Sequence, residues 1–228
     1  NRVITYGYNA KKVQVFDSNG VIIKAIGGYR ATTRMAAAHK AIKAVVTDSN
    51  LTSGVNFGFG YWSSSWSSRA WPPGFSSWSG DITTGRAKPC DTQNCLKVRV
   101  HKDGAAQINK IISSVNARGG TDAYTFMKIA QDYYLHGSLS PVDKNAPCQK
   151  SYVLVIGDGD WYNHSNAVRM AKSLYNSHKI PTFAIAFGTG ISNRGMRYFN
   201  ELAQAGGTKQ AIVAPTAESL KTQLAAAV

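Results

Sequence analysis

The second half of the chain alternates between short apolar runs and longer segments whose apolar positions recur every three or four residues. "YVLVI" (Tyr152–Ile156), "IPTFAIAFG" and "QAIVAP" are apolar almost throughout, as strands buried on both faces are. "HSNAVRMAKSLYNSHK", "RGMRYFNELAQAGG" and "TAESLKTQLAAAV" follow them as helices, the first with Val168, Met170, Ala171 and Leu174 on its apolar side. Upstream, "LKVRVH" predicts a strand, and "DGAAQINKIISSV" a helix with Ala106, Ile108, Ile112 and Val115 at near-helical spacing. "TDAYTFMKIAQDYYLHG" predicts another, with Thr121 as its N-cap and Gly137 as its end. "ATTRMAAAHKAIKAVV" places Met35, Ala38, Ile42 and Val45 on one helical face, and "VNFGFGYW" follows as a strand. Apolar strands alternating with helices predict an α/β fold, a doubly wound and mostly parallel sheet flanked by helices.

Two stretches break this rhythm. In residues 1–30, "KKVQVFDSNGVIIKAIGG" alternates around Asn19-Gly20, the signature of a β-hairpin. Residues 61–95, "YWSSSWSSRAWPPGFSSWSGDITTGRAKPC" and beyond, show neither period and predict a long inserted loop. Within it Trp62, Trp66, Trp71 and Trp78 are separated by Ser and Gly, a composition suited to a contact surface or to packing on the body or a neighbouring chain.

Composition bounds the class. With 228 residues, 43% hydrophobic and 17% charged, the chain is expected to fold as a single domain with a substantial core. No apolar run approaches the roughly 20 residues of a membrane span. The opening Asn1-Arg2-Val3 and the closing Ala-Ala-Ala-Val predict a piece of a larger protein. A net charge of +14 favours acidic partners, although Lys and Arg are dispersed along the chain. Cys90 and Cys95 have four residues between them and no His nearby, which favours a disulfide in an oxidising compartment over zinc. Cys148 makes the count odd and leaves the pairing open.

Candidate chemistry sits where apolar strands end. Asp158 and Asp160 alternate with Gly157 and Gly159 directly after "YVLVI", and Thr121 and Asp122 open a helix after "RGG". Loop oxygens at the carboxyl edge of a sheet suit a hard cation such as Mg²⁺ or Ca²⁺. Thr121 has a bland reading as a helix cap, Asp158 as a turn residue, and Asp122 and Asp160 as solvated or locally bonded carboxylates. His39, His101, His136, His164 and His178 show no metal-ligand spacing, and neither a nucleophile elbow nor a phosphate loop is present, so an enzyme is not expected. Only Arg69 interrupts the Trp-rich stretch, which gives little support to a nucleic-acid groove.

These motifs resemble the von Willebrand factor A domain. "GGTDAY" and "YVLVIGDGD" are similar to the second and third loops of its metal-ion-dependent adhesion site, on which Thr121 and Asp158 would be metal ligands. "TRMAAAHKAIKAVV" resembles its first helix, and "NELAQAGGTKQAIVAPTAESLKTQLAAA" its closing helix–strand–helix; the similarity covers roughly residues 31–60 and 96–228. "CQKSYVLVIGDGDW" with the inserted loop resembles the PilC/PilY-type proteins of type IV pilus tips. The resemblance implies a secreted or surface-located adhesion module, with minor pilins or a host surface ligand as partners. The family's first loop, Asp-x-Ser-x-Ser, is not found: either it lies upstream of Asn1, or "KKVQVFD" with Asp17 is a degenerate form of it. The long spacing to the first helix and the Asn19-Gly20 turn favour the former. Structural packing through the Trp-rich stretch and polyanion binding are the alternative functions.

Overall fold

The structure, a computed structural model, describes residues 12–16, 22–27, 34–67, 74–80, 87–90, 94–115, 120–135, 138–143, 145–146, 148–188 and 190–227. The chain divides into two compact units, Asn1–Thr33 and Arg34–Val228. In the first, β1 (Lys12–Phe16) and β2 (Ile22–Gly27) pair antiparallel, the expected hairpin. Asp17 and the Asn19-Gly20 turn lie outside the described residues.

The second unit is mixed α/β. It runs α1 (Arg34–Val46), the single turn α2 (Ser49–Thr52), β3 (Phe57–Gly60), β4 (Ser63–Ser67), β5 (Gly74–Gly80), β6 (Ala87–Pro89) and β7 (Leu96–His101). It continues through α3 (Gly104–Ile111), α4 (Ala123–Leu135), β8 (Val153–Gly157), α5 (His164–His178), β9 (Thr182–Phe187), α6 (Asn193–Ala205), β10 (Ile212–Ala214) and α7 (Ala217–Ala227).

The apolar runs of the second half form the parallel sheet that their composition predicts, in the order β10–β9–β8. The period of two along β9 sorts its neighbours. Ala184 and Ala186 belong to a core with Phe126 and Met127 of α4, Ala171 and Leu174 of α5, and Phe199 and Leu202 of α6. Ile185 and Phe187, on the other face, pack with Ala41 and Val45 of α1 and Leu220 of α7. A third core joins Ile42 and Val46 of α1 and Ile108 of α3 to Phe57 and Phe59 of β3 and Val98 of β7. The strands β3 and β7 form an antiparallel pair of their own.

One expectation is corrected. Residues 61–95 are not simply a loop: β4, β5 and β6 form an antiparallel three-stranded sheet, with Trp66 opposite Phe75 and Trp78 opposite Ser63 and Pro89. Serine on both sides of a strand leaves no hydrophobic period to read, while the backbone ladder forms regardless. Trp71 and the side chains of Trp66 and Trp78 lie outside the described residues.

At the start of β9, Thr182 is fully buried and its Oγ1 has no hydrogen-bond partner. Its backbone N–H donates to Gly206 O at 2.9 Å, and its own carbonyl accepts from Thr208 Oγ1 at 3.1 Å. Thr182→Val keeps the shape and removes the orphan hydroxyl. It is expected to raise stability by about 1 kcal/mol, read as a higher denaturant midpoint with an unchanged slope.

Candidate functional site

The strand β8 ends at Gly157, where a Cβ would stand 3.1 Å from the Phe199 ring, so the residue that turns the chain out of the sheet must be small. The next four residues have separate fates. Asp158 is exposed. Asp160 is tied to the start of α6, accepting from Ser192 Oγ at 2.5 Å and Arg194 Nε at 2.7 Å. Trp161 turns inward and packs edge-on against Phe199 (4.5 Å between ring centres) and Phe126 (5.8 Å). Tyr162 is 58% exposed beside it.

The turn that opens α4 meets this strand end. Tyr162 N–H donates to Thr121 O, and Ala123 N–H donates to Tyr162 O, both at 2.9 Å. Residues forty positions apart in sequence, Asp122 and Tyr162, thereby form a parallel bridge. Thr121 is half-buried at this junction, and Asp158 lies four residues before Tyr162. The loops that carry the two sequence-predicted oxygen donors are thus joined by backbone hydrogen bonds.

The residue that holds the junction is Asp122, and of its two expected states, solvated or locally bonded, it adopts the second. Asp122 is 3% exposed. Its Oδ1 accepts from Tyr124 N–H at 3.2 Å and Asn163 Nδ2 at 2.7 Å, and its Oδ2 accepts from Thr125 Oγ1 at 2.7 Å. Asp122, not Thr121, therefore satisfies the free amides at the start of α4. Asn163 reaches it from a left-handed backbone conformation (φ 55°), which asparagine tolerates better than most residues. On the other side Asp122 N–H donates to Ser64 Oγ at 3.2 Å, while Ser64 and Gly120 exchange backbone hydrogen bonds of 3.0 and 2.6 Å. The Ser- and Trp-rich sheet is thus joined to the Gly120–Asp122 turn through Ser64, which is 1% exposed. Nothing local in the sequence marks Ser64 or Asn163 for these roles.

Trp62, for which a contact surface and packing on the body are both open from sequence, packs against Phe126 at 5.0 Å with its Nε1 enclosed and without an acceptor. It is part of the body. Among the histidines, His164 joins a chain: Trp161 Nε1 donates to its Nδ1 at 3.0 Å, and its Nε2 lies 2.6 Å from Glu201 Oε2. An indole N–H only donates, so Nδ1 accepts and Nε2–H points at the carboxylate. Both ring nitrogens are engaged, and the ring stacks on Tyr198 at 4.0 Å.

The cation reading meets a deficit. Thr121 and Asp158 offer one hydroxyl and one carboxylate, whereas Mg²⁺ or Ca²⁺ takes six or more oxygens. Asp122 and Asp160 are engaged elsewhere, and no group of three or more His, Cys, Asp or Glu side chains is placed to hold an ion among the described residues. These residues do not by themselves fit a resident cation. Cys90 and Cys95 are disulfide-bonded, as their spacing predicts, and Cys148 is free and exposed. No helix among the described residues is long and apolar enough to cross a membrane.

The hydrogen bond from Ser192, then that from Arg194, holds the Asp160 carboxyl below its ordinary value of 3.8. A depressed folded value stabilises above the unfolded value and loses that contribution as pH falls through the folded one. The gap in melting temperature between the native chain and Asp160→Asn is therefore expected to be full at pH 6 and to close below pH 3.8. A gap that persists at pH 2 would contradict the tie.

The sequence matches no protein-family model and no curated protein. In fold it is similar to two crystal forms of proximal thread matrix protein 1 from the mussel byssus. Their TM-scores are 0.52 and 0.51, with 17% and 16% identity over 87% and 86% of this chain. The chain spans 42% of the length of those structures, and at such identity the likeness concerns the fold alone.

Proposed function

We propose that the chain is a non-enzymatic binding module acting outside the cytoplasm, through the rim where the turn at Gly120–Asp122 meets the end of β8. The fold it fits best is the doubly wound von Willebrand factor A type, in the manner of the PilC/PilY-type proteins of type IV pilus tips. The observation that supports the reading is the bridge between Asp122 and Tyr162, which joins the two loops carrying Thr121 and Asp158. Rims beyond the carboxyl ends of parallel strands are where α/β sheets take ligands. The rim offers a hydroxyl, a carboxylate, the exposed Tyr162 ring and the Arg194 guanidinium, 65% exposed, and Tyr and Arg are the residues that most often anchor interfaces. The +14 charge adds attraction for an acidic partner at long range. A disulfide and the absence of a membrane-crossing helix among the described residues agree with an extracytoplasmic place.

The test is co-sedimentation with purified type IV pili at 150 mM salt, for the native chain and the double variant Thr121→Ala, Asp158→Ala. The native chain is expected to co-sediment with and without chelator, and the double variant to bind at least about tenfold more weakly, the loss of roughly 1.4 kcal/mol. Equal binding of the two proteins, or none by the native chain, would overturn the reading.

A structural role is the second reading. It is favoured by the ladder-built β4–β6 sheet. It requires concentration-dependent assembly, which sedimentation velocity of the chain alone would detect.

A further inference from the structure

The chain contains two Asn-x-Ser/Thr triplets, Asn50-Leu51-Thr52 and Asn163-His164-Ser165. In chains that leave the cytoplasm this triplet is the acceptor signal for N-linked oligosaccharide. The triplet alone is common in sequences, and the structure separates the two occurrences.

Asn163 is already committed. Its Nδ2 donates to the buried Asp122 carboxylate at 2.7 Å, and its backbone is left-handed. Ser165 lies in the first turn of the 15-residue helix α5. For Asn163 to serve as an acceptor, its amide would have to leave Asp122 and the start of α5 would have to unwind.

Asn50 is the opposite case. It lies in α2, a single turn between α1 and β3 that has no buried residue. Around it Thr47, Ser49, Ser53, Gly54 and Asn56 are exposed, as is Asn50 itself. Its backbone N–H donates to Asp48 Oδ1 at 2.8 Å, while its side-chain amide has no hydrogen-bond partner among the described residues. Thr52 Oγ1, the hydroxyl that a transferase must read, donates to Asp48 O at 3.0 Å while the turn is closed. Opening the turn breaks little. Leu51 N–H and Thr52 N–H donate to Asp48 O, and Ser53 N–H to Ser49 O, which are the bonds of one turn beside solvent. Segments with few buried contacts open at low free energy. The Asp48 ion pair with Lys221 of α7, at 2.6 Å, holds one end of the connection in place.

We propose that Asn50 is an acceptor site for an N-linked oligosaccharide. The donor is an oligosaccharide joined to a polyisoprenyl lipid through a diphosphate. Asn50 Nδ2 attacks the anomeric carbon, and a C–N bond forms as the bond from that carbon to the diphosphate oxygen breaks. One Nδ2 proton passes to a base of the transferase, and the lipid diphosphate leaves with the bonding electron pair. The inference rests on the extracytoplasmic part of the reading above and is independent of pilus binding.

The experiment is transfer in vitro to the folded 228-residue protein, using a single-subunit oligosaccharyltransferase that reads the bare triplet and the lipid-diphosphate oligosaccharide as donor. Intact mass counts the oligosaccharides, and peptide mapping places them. A peptide of residues 47–54 is the unfolded control and is expected to be modified. The folded chain is expected to gain one oligosaccharide, at Asn50. Asn163, which must first give up a hydrogen bond to a carboxylate, is expected to be occupied at least about tenfold less. Asn50→Gln and Thr52→Ala should abolish the gain at this site, and Thr52→Ser should retain it, which separates loss of the signal from loss of the turn. No transfer to the folded chain, no transfer to the peptide, or equal occupancy of Asn163 and Asn50 would overturn the inference. A failure of the chain to co-sediment with pili would leave these results untouched.

Discussion

Asp122→Ala is expected to cost about 3–5 kcal/mol and to unlock the rim. The substitution removes an acceptor from three donors at once, Tyr124 N–H, Thr125 Oγ1 and Asn163 Nδ2, at a site 3% exposed. A buried donor that loses its partner costs about 1–3 kcal/mol; Thr125 is buried, Tyr124 half-buried and Asn163 exposed, so the three do not lose equally. Asp122→Asn is the control. Its Oδ1 still accepts from Tyr124 and Asn163, and its amide can donate to Thr125 Oγ1, whose hydroxyl both gives and takes. It should cost about 1 kcal/mol. Chemical denaturation separates the two variants, and exchange of the Tyr162 and Ala123 amides reports whether the bridge to Thr121 opens. A cost for Asp122→Ala no greater than that for Asp122→Asn would contradict the role given to the carboxylate.

Gly104→Ala is expected to be nearly as damaging, for a different reason. A Cβ on Gly104 would stand 1.9 Å from Phe57 O and 2.8 Å from Phe57 C. The clash is with main chain, so no side chain can swing aside. Either α3 leaves β3 or the β3–β7 pair distorts, and Ile108 and Ile112 of the third core go with it. Overpacking of this kind typically costs about 1–3 kcal/mol and more where backbone must move; about 3 kcal/mol is a fair expectation here. The denaturation midpoint measures it. Gly54→Ala is the contrast: no atom lies within 4 Å of its Cβ position, and only its left-handed φ of 74° opposes the change.

What could be read in the sequence was whatever depends on near neighbours along the chain. The runs around Val155 and Ile185 declare buried strands because both faces are apolar, and the face of Val168, Ala171 and Leu174 declares a helix because its period is 3.6. Spacing favoured a disulfide at Cys90 and Cys95 but left the pairing open until the two were seen bonded. Thr121 and Asp158 were legible as loop residues at strand and helix ends, and the Asp122–Tyr162 bridge joins the two loops that carry them. What stayed hidden depends on distant partners. Asp122 looks like any helix-opening aspartate until Ser64, fifty-eight residues away, and Asn163, forty-one away, enclose it. The β4–β6 strands were illegible because serine satisfies either face of a sheet equally well, so register there is written in backbone bonds and not in hydropathy. Trp62 could be placed on a surface or in a core from composition alone, and only Phe126 decides it.

The central claim is that Thr121 and Asp158 act as parts of one contact surface, and a double-mutant cycle on pilus binding tests it most directly. Binding would be measured for the native chain, Thr121→Ala, Asp158→Ala and the pair. Groups that share a ligand couple by 0.5–3 kcal/mol, while independent sites add to within about 0.5 kcal/mol. The account predicts a coupling of about 1 kcal/mol, with melting temperatures of the four proteins close together. Strictly additive effects, or weakened binding that tracks lost stability, would contradict it.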